Sequence, residues 1–228
     1  MDHKCLVRPV WNALTSAQTG HAIRSGGAVR FHPDIGPLAA MPSDDEAGLA
    51  ALAALAAPGE LLAMIEADIR SHPPGTMLER QSPAVQMIAD GPIDAFDHPA
   101  IISLGDADAL EMRTLAELTE PGPFASRTHI LGQFWGIREE GRLIAMAGER
   151  MRMPGFGEVS AVCVHPDARG RGLGALMTRK AASNLSAQGL RPFLHAYADN
   201  MAAIATYRRV GFSLAREVVI TMFRKPEA

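Results

Sequence analysis

The pattern of apolar and polar positions predicts a regular succession of strands and helices in the second half of the chain. Short apolar runs are separated by turn residues, and longer segments carry apolar residues at the three- and four-residue spacing of a helix. The predicted order from residue 100 is β-α-β-β-β-α-β-α-β. The strands fall at 101–104, 133–138, 143–150, 158–164, 193–198 and 212–223, and the helices at 107–118, 174–187 and 201–210.

The turn residues between these elements indicate which strands form hairpins and where the helices end. Glu139-Glu140-Gly141 is a hairpin signal between two strands, and Gly189 and Gly211 end the last two helices. Hairpins therefore alternate with strand–helix–strand units, which predicts the fold class α/β with a mixed sheet. In the first helix, the predicted core residues are Leu110, Leu115 and Leu118.

The first hundred residues are rich in Ala, Pro and Gly and carry fewer chemical landmarks. A helix is expected over 44–57, with Ser43 and two acidic residues at its start, and strands over 60–65 and 84–88. Glycine and proline residues interrupt any regular element between 90 and 99. This predicts an N-terminal region, 1–96, followed by a second domain, 97–228.

Composition narrows the function classes. The chain has 228 residues, 47% of them hydrophobic and 21% charged, as in ordinary globular proteins. A net charge of −3 argues against nucleic-acid and anionic-membrane partners. Two cysteines, Cys5 and Cys163, give neither a disulfide framework nor a metal-ligand spacing. Residues 1–30 lack a signal-peptide core, and the most apolar run, 47–57, is shorter than the ~20 residues of a membrane span. We therefore expect a cytoplasmic protein without a metal.

The segment from Val159 to Gly174, VSAVCVHPDARGRGLG, is the most informative stretch of the sequence. A strand-like run ends in a turn, and three glycines and two arginines then precede a helical pattern. Backbone N–H groups at a helix start, free of obstructing side chains, form a site for a phosphate-bearing ligand. The loop lacks the Lys-Ser or Lys-Thr pair of a nucleoside triphosphate loop.

A dinucleotide site is the competing interpretation of this loop. Gly170, Gly172 and Ala175 satisfy G-x-G-x-x-A. That motif follows the first strand of a long parallel sheet, however, and fewer than 60 residues remain after Gly170. An NAD(P)-binding oxidoreductase is therefore the weaker alternative.

The loop belongs to a larger pattern. Arg169-Gly170-Arg171-Gly172-Leu173-Gly174 resembles the (Gln/Arg)-x-x-Gly-x-(Gly/Ala) acyl-CoA loop of the GNAT superfamily of N-acetyltransferases. Upstream, Val162–Pro166 looks like the strand and turn before that loop, and downstream, Asn200-x-x-Ala203-x-x-x-Tyr207-x-x-x-Gly211-Phe212 resembles the second motif of the family. The resemblance covers about residues 100 to 225. It implies a GNAT-like fold with a central mixed, mostly antiparallel sheet flanked by helices, and leaves an N-terminal α/β region beside it.

The resemblance also implies the substrates. The acyl donor would be acetyl-CoA, and the acceptor a primary amine of a small molecule or peptide, which attacks directly in a ternary complex. The N–H groups of Arg171–Gly174 would bind the pyrophosphate, and Val162–Val164 and 193–198 would enclose the pantetheine arm. An N–H near Val162 would polarise the thioester carbonyl. The residues so assigned to acetyl-CoA are Val162, Cys163, Val164, Arg169, Gly170, Arg171, Gly172, Leu173, Gly174 and Asn200.

Two side chains are the candidates for catalysis. In the family, a tyrosine at the position of Tyr207 protonates the departing thiolate, and a buried core tyrosine is the competing interpretation. Glu158 is the best candidate for the base that deprotonates the amine, because strand alternation places it on the face of Val162 and Val164. The same alternation places Cys163 on the opposite face. The alternatives for the base are Glu149, His165 and His195.

The role of residues 1–96 is open at this point. They are expected either to shape the acceptor pocket or to form a degenerate second copy of the same fold. A non-catalytic acyl-CoA-binding or sensing module is the other function class that keeps the glycine loop.

Overall fold

The structure, a computed structural model, describes residues 3–68 and 71–227. The strands are β1 (Ala22–Ser25), β2 (Ala28–Phe31), β3 (Ala39–Ala40), β4 (Leu61–Glu66), β5 (Met77–Ala89), β6 (Ile102–Leu104), β7 (Phe134–Glu139), β8 (Arg142–Met153), β9 (Phe156–Val164), β10 (Arg191–Tyr197) and β11 (Phe212–Arg224). The α-helices are α1 (Pro9–Thr15), α2 (Glu46–Leu55), α3 (Ala109–Thr119), α4 (Leu173–Ala187) and α5 (Met201–Val210). No helix among these is both long and apolar enough to cross a lipid bilayer.

Eight strands form the central sheet, in the order β4-β11-β5-β10-β9-β8-β7-β6. Neighbouring strands are antiparallel except β9 and β10, which run parallel and are joined through α4. The prediction of an α/β fold with a mixed, mostly antiparallel sheet is therefore confirmed. A second sheet of order β1-β2-β3 packs with α2.

The central sheet crosses the predicted boundary between residues 96 and 97. β5, from the N-terminal region, lies between β10 and β11. β5 is also much longer than the strand expected over 84–88. Residues 77–81 are exposed and show no alternation, and they are strand because β11 pairs with them. β4 and β5 therefore complete one sheet with the C-terminal elements.

The sheet is covered on both faces. On one face, α1 residues such as Val10 and Leu14 share a buried cluster with Phe193 of β10. On the other, Met177 and Ala181 of α4 pack with Leu194. A smaller cluster forms around α3, whose buried residues are Met112, Leu115 and Ala116. The prediction that Leu110 and Leu118 belong to the core is wrong, because α3 turns both side chains to solvent.

The helix starts follow ordinary capping chemistry. Of the residues expected at the start of α2, Asp45 is the cap, and its carboxylate accepts a 2.8 Å bond from the Gly48 N–H. The Asn200 side chain accepts from the Ala203 N–H at 3.1 Å and begins α5, which Gly211 ends with a φ of 97°. The caps at Asn200 and Gly211 determine where α5 begins and ends, and so which of its side chains face the sheet.

Candidate active site

The sheet opens in its middle, between β9 and β10. The two strands pair only at Arg191 with Phe156, Pro192 with Gly157 and Phe193 with Glu158. Both strands continue beyond that point, but residues 159–164 and 194–197 have no register with each other. The backbone groups on these facing edges are therefore available to something other than a neighbouring strand.

A cavity of about 700 Å³ occupies this opening. Its lining at one end includes Gly170, Gly172, Leu173 and Gly174, together with Asn200 and Tyr207 of the second motif. Arg150, Glu158 and His195 line the other end, beside Leu38, Ala63 and Ile65 of the N-terminal region. One continuous space thus joins the glycine loop to a cluster of charged side chains.

The glycine loop contains two residues with a left-handed backbone. Gly170 and Gly172 each have a φ of 77°, in the left-handed region that side chains disfavour. A Cβ at either position would meet no atom within 4 Å, so conformation rather than crowding requires glycine there. Gly172 caps α4 and its carbonyl accepts from the Leu176 N–H. The preceding N–H groups of α4 have no acceptor within the helix and form its positive end.

The two loop arginines have different surroundings. Arg169 lines the cavity, and its Nε lies 3.4 Å from the Val164 carbonyl. Arg171 points to the end of β7, where its two terminal nitrogens bond both oxygens of Glu139. These bonds hold the pKa of the Glu139 carboxyl below its ordinary value. Of the two arginines expected beside a polyanion, Arg169 is therefore the one at the cavity.

A β-bulge in β9 changes which face each of its side chains occupies. Met146 pairs with Cys163 and Gly148 with Ser160, so β9 has one extra residue in this interval, and Ala161 has a φ of 51°. Val162 and Val164 consequently pack with Val159 on the α4 side of the sheet. Glu158, adjacent to Val159, lies on the opposite face. The prediction that Glu158 shares a face with Val162 and Val164 is wrong, because the bulge shifts the alternation by one residue.

The same bulge moves Cys163 to the face of Glu158, contrary to the prediction that the two are on opposite faces. Its thiol is buried among Met112 and Leu115 of α3, and Cys163 does not belong to the cavity lining. Burial raises the pKa of this thiol to about 12. The Cys163 side chain is therefore protonated and enclosed, as a structural cysteine is.

Tyr207 lies on α5 with its side chain at the cavity and only 8% of its surface exposed. Burial raises the pKa of the phenol to about 12, and the nearby Cys163 adds to this effect. The hydroxyl therefore keeps its proton at neutral pH. A group in this state is able to donate a proton to a basic atom in the cavity.

Glu158 is the centre of a buried ionic cluster. Its Oε2 accepts from Arg150 Nε at 2.7 Å, and its Oε1 accepts from Arg150 Nη2 at 2.7 Å and from His195 Nδ1 at 2.8 Å. Burial alone would raise the pKa of this carboxyl, but the charge and hydrogen bonds of Arg150 outweigh burial and lower it to about 2. Glu158 is therefore ionised and weakly basic.

Both ring nitrogens of His195 are engaged by protein groups. The Gln86 side-chain amide donates to the Leu6 carbonyl at 3.0 Å and to His195 Nε2 at 3.0 Å. The carbonyl of Leu6 fixes the orientation of the Gln86 amide, so His195 accepts at Nε2 and donates from Nδ1 to Glu158. Gln86 is fully buried between the N-terminal segment and β10.

The other candidate bases lie elsewhere. Glu149 is buried, and its carboxylate accepts from Arg152 at 2.6 Å and from Asn184 of α4 at 2.7 Å. His165 Nδ1 accepts from the Asp167 N–H in the turn after β9. Neither residue belongs to the cavity lining. Arg150 is not among the residues predicted from the sequence, although an arginine within the apolar β8 pattern is the signal that identifies it.

The Glu158 cluster predicts a specific acid sensitivity. A carboxyl whose pKa falls from 4.5 to about 2 on folding stabilises the fold above pH 4.5, and this contribution is lost as the pH falls towards 2. Its size is on the order of 3 kcal/mol. Urea denaturation should therefore show Glu158→Gln much less stable than the wild type at pH 7, with the difference shrinking towards pH 3. A difference that is constant with pH would contradict this account.

Comparison with known proteins finds a matching family model and related curated proteins. The family model described as FR47-like protein matches residues 134–220. A mycothiol acetyltransferase of Cellulomonas flavigena is 32% identical over 175 residues, covering 71% of this chain and 49% of that protein. One of Mycobacteroides abscessus is 48% identical over 63 residues, covering 27% of this chain and 21% of that protein. The chain thus spans about half, or less, of the length of these curated relatives.

Solved structures extend the similarity to nearly the whole chain. A GCN5-related N-acetyltransferase from Kribbella flavida shares the fold at 17% identity, with a TM-score of 0.58 over 89% of this chain and 88% of that one. A putative acetyltransferase of the GNAT family from Novosphingobium aromaticivorans is 44% identical, with a TM-score of 0.91 over 96% of this chain and 98% of that one. Because this similarity covers nearly all of both chains, and because the glycine loop and the two separated strands agree with it, the chain belongs to the GNAT family of acetyltransferases.

Proposed function

We propose that this protein is an acyl-CoA-dependent N-acetyltransferase that transfers the acetyl group of acetyl-CoA to a primary amine by direct attack in a ternary complex. The observation that supports it most is the continuous cavity between β9 and β10, which joins the glycine loop to Tyr207 and to the Arg150–Glu158 pair. Donor and acceptor could enter this cavity from its two ends and meet at its centre.

The donor end is suited to coenzyme A. The first N–H groups of α4, with Arg169 beside them, would bind the pyrophosphate. The pantetheine arm would lie along residues 159–164 and 194–197, whose facing edges lack a strand partner. The bulge at Ala161 turns the backbone at this point, and we propose that an N–H near Val162 bonds the thioester oxygen as negative charge develops on it.

The chemical step needs one proton donor and one proton acceptor. The amine nitrogen attacks the thioester carbonyl carbon, the C–S bond breaks, and Tyr207 gives its proton to the thiolate and regains one from solvent. The assignment of Glu158 as the acceptor of the amine proton stays a prediction, and its pKa of about 2 makes it a weak base. We propose instead that a Glu158 oxygen accepts a hydrogen bond from the amine and so orients its nitrogen, while the amine proton leaves through solvent.

The acceptor end favours a small amine with an apolar body. Leu38, Ala63 and Ile65 form an apolar wall, and the charges of Arg150 and Glu158 balance each other. Arg150 Nη1 makes no hydrogen bond within residues 3–68 and 71–227, so it is available to an oxygen of the acceptor. This supports the expectation that the N-terminal region shapes the acceptor pocket. The names of the curated relatives suggest mycothiol-related amines as one candidate.

Release of free thiol from acetyl-CoA in the presence of chosen amines tests this acceptor class. Leucinamide and isoamylamine share an apolar body and differ by one carboxamide, whereas spermidine is a polycation. We expect kcat/KM to be about tenfold higher for leucinamide than for isoamylamine, because its oxygen can bond Arg150. Spermidine should be the poorest of the three. A preference for spermidine would contradict the proposed acceptor class.

Binding measurements separate the remaining function classes. In a thermal-shift assay, coenzyme A should raise Tm and NAD(P)H should not, since only the former matches the loop and cavity. Stabilisation by NAD(P)H alone would favour an oxidoreductase. Binding of coenzyme A without thiol release for any amine tested would favour a sensing module.

A further inference from the structure

A second bulge lies directly opposite Glu158, in β8. Glu149 pairs with Val159 and Arg152 with Gly157, so two residues, Arg150 and Met151, oppose the single Glu158. A bulge of this kind brings its two side chains towards one face of the sheet. Met151 accordingly belongs to the buried cluster of α1, while Arg150 bonds both oxygens of Glu158.

The side chain of Gln18 spans this bulge. Gln18 follows α1 in the chain, far from β8 in sequence, and is 4% exposed. Its Nε2 donates to the Arg150 carbonyl at 2.7 Å, and its Oε1 accepts from the Arg152 N–H at 3.0 Å. One partner is an acceptor and the other a donor, so only one amide orientation satisfies both. The two bonds take the place of ladder bonds that a bulge disrupts.

We propose that Gln18 is a positioning residue, which holds the β8 bulge in the form that presents the Arg150 guanidinium to Glu158. The use of this ion pair in binding the acceptor rests on the proposed function, but the role of Gln18 in forming the ion pair does not. If Gln18 only attached α1 to the sheet, the ion pair would form without it. In that case Gln86, which contacts the cluster through the His195 ring, would affect Glu158, and Gln18 would not.

The direct test observes the Arg150 side chain by NMR. The Arg150 Nε–H donates to a buried carboxylate, so its ¹⁵N-correlated signal should be sharp and slow to exchange with water. Comparison with Arg150→Lys assigns it by its disappearance. In Gln18→Met, which keeps volume but loses both hydrogen bonds, we expect this proton to exchange at least about tenfold faster. If Gln18→Met does not fold, Gln18→Asn replaces it, because the shorter amide cannot reach both backbone groups.

Thr128→Val is the matched control. The Thr128 hydroxyl is buried and likewise makes two bonds, donating to the Ile35 carbonyl at 2.6 Å and accepting from the Ala125 N–H at 2.7 Å. Its loss should lower Tm as the loss of Gln18 does, but leave the Arg150 signal unchanged. A Gln18→Met protein with a lower Tm and a wild-type Arg150 exchange rate would overturn the proposal.

Kinetics give an independent readout of position. With leucinamide and acetyl-CoA, Gln18→Met should raise KM for leucinamide about tenfold and leave KM for acetyl-CoA unchanged, because Gln18 acts at the acceptor end alone. Equal increases in both KM values would indicate a general structural role and contradict the proposal. If no amine is acetylated by the wild type, the proposed function fails while the NMR test of Gln18 still decides this inference.

Discussion

Replacing Gly172 with glutamate should weaken coenzyme A binding about 100-fold, which corresponds to ~3 kcal/mol. Two effects add. A side chain at a φ of 77° strains the backbone that starts α4. A carboxylate at that position also opposes the anionic pyrophosphate, which the positive end of the helix is expected to attract. Isothermal titration of coenzyme A into the variant measures the loss directly.

Gly155→Glu is the matched control for this variant. Gly155 has a φ of 78°, and a Cβ there also meets no atom within 4 Å, so the strain and the added charge are equivalent. It lies in the turn between β8 and β9, outside the cavity lining. Gly155→Glu should lower Tm without changing the Kd for coenzyme A. An unchanged Kd in Gly172→Glu would remove the loop from the donor site.

The features that the sequence predicted well depend on local chemistry. The glycine loop directly before α4 and Gly211 as the end of α5 are each determined by residues within one turn of the chain. The helix predicted over 201–210 therefore has the observed bounds of α5. The loop motif was equally easy to recognise, because its glycines and the following helix are adjacent in the sequence.

Strand faces were harder to predict, because alternation holds only for an unbroken ladder. The bulges at Ala161 and at Arg150–Met151 each insert one residue, and neither carries a glycine or proline to mark it. Glu158 was therefore expected at the cavity but on the wrong face. Its partners Arg150 and His195 are brought to it by sheet pairing rather than by sequence proximity.

The N-terminal region shows the same limit over a longer distance. β5 pairs with β10 and β11, which lie more than a hundred residues later in the chain, and no local pattern specifies those partners. Gln18 and Gln86 likewise read as ordinary polar residues in the sequence. Their roles depend on backbone groups of Arg150, Arg152 and Leu6 that only the folded chain brings within reach.

Replacing Tyr207 with phenylalanine should lower kcat about 100-fold and leave the Kd for coenzyme A nearly unchanged. Loss of a general acid typically costs 10²–10⁴-fold in rate. Because the pKa of Tyr207 is about 12, the hydroxyl is fully protonated at pH 7, and no loss of activity from its ionisation is expected up to about pH 10. Measuring kcat with leucinamide and saturating acetyl-CoA, beside titration of coenzyme A, separates the chemical step from binding.

Tyr197→Phe provides the comparison that makes this result specific. Tyr197 is the other tyrosine of the chain and also lines the cavity, where the Arg80 guanidinium lies 5.2 Å from its ring centre. Loss of its hydroxyl keeps the ring and should change kcat by less than about threefold, within the effect of one lost surface contact. If Tyr197→Phe were the slow variant and Tyr207→Phe the active one, the proton donor would belong to β10. If both variants kept the wild-type kcat, the thiolate would leave without a tyrosine proton, and Tyr207 would contribute only to the packing of α5.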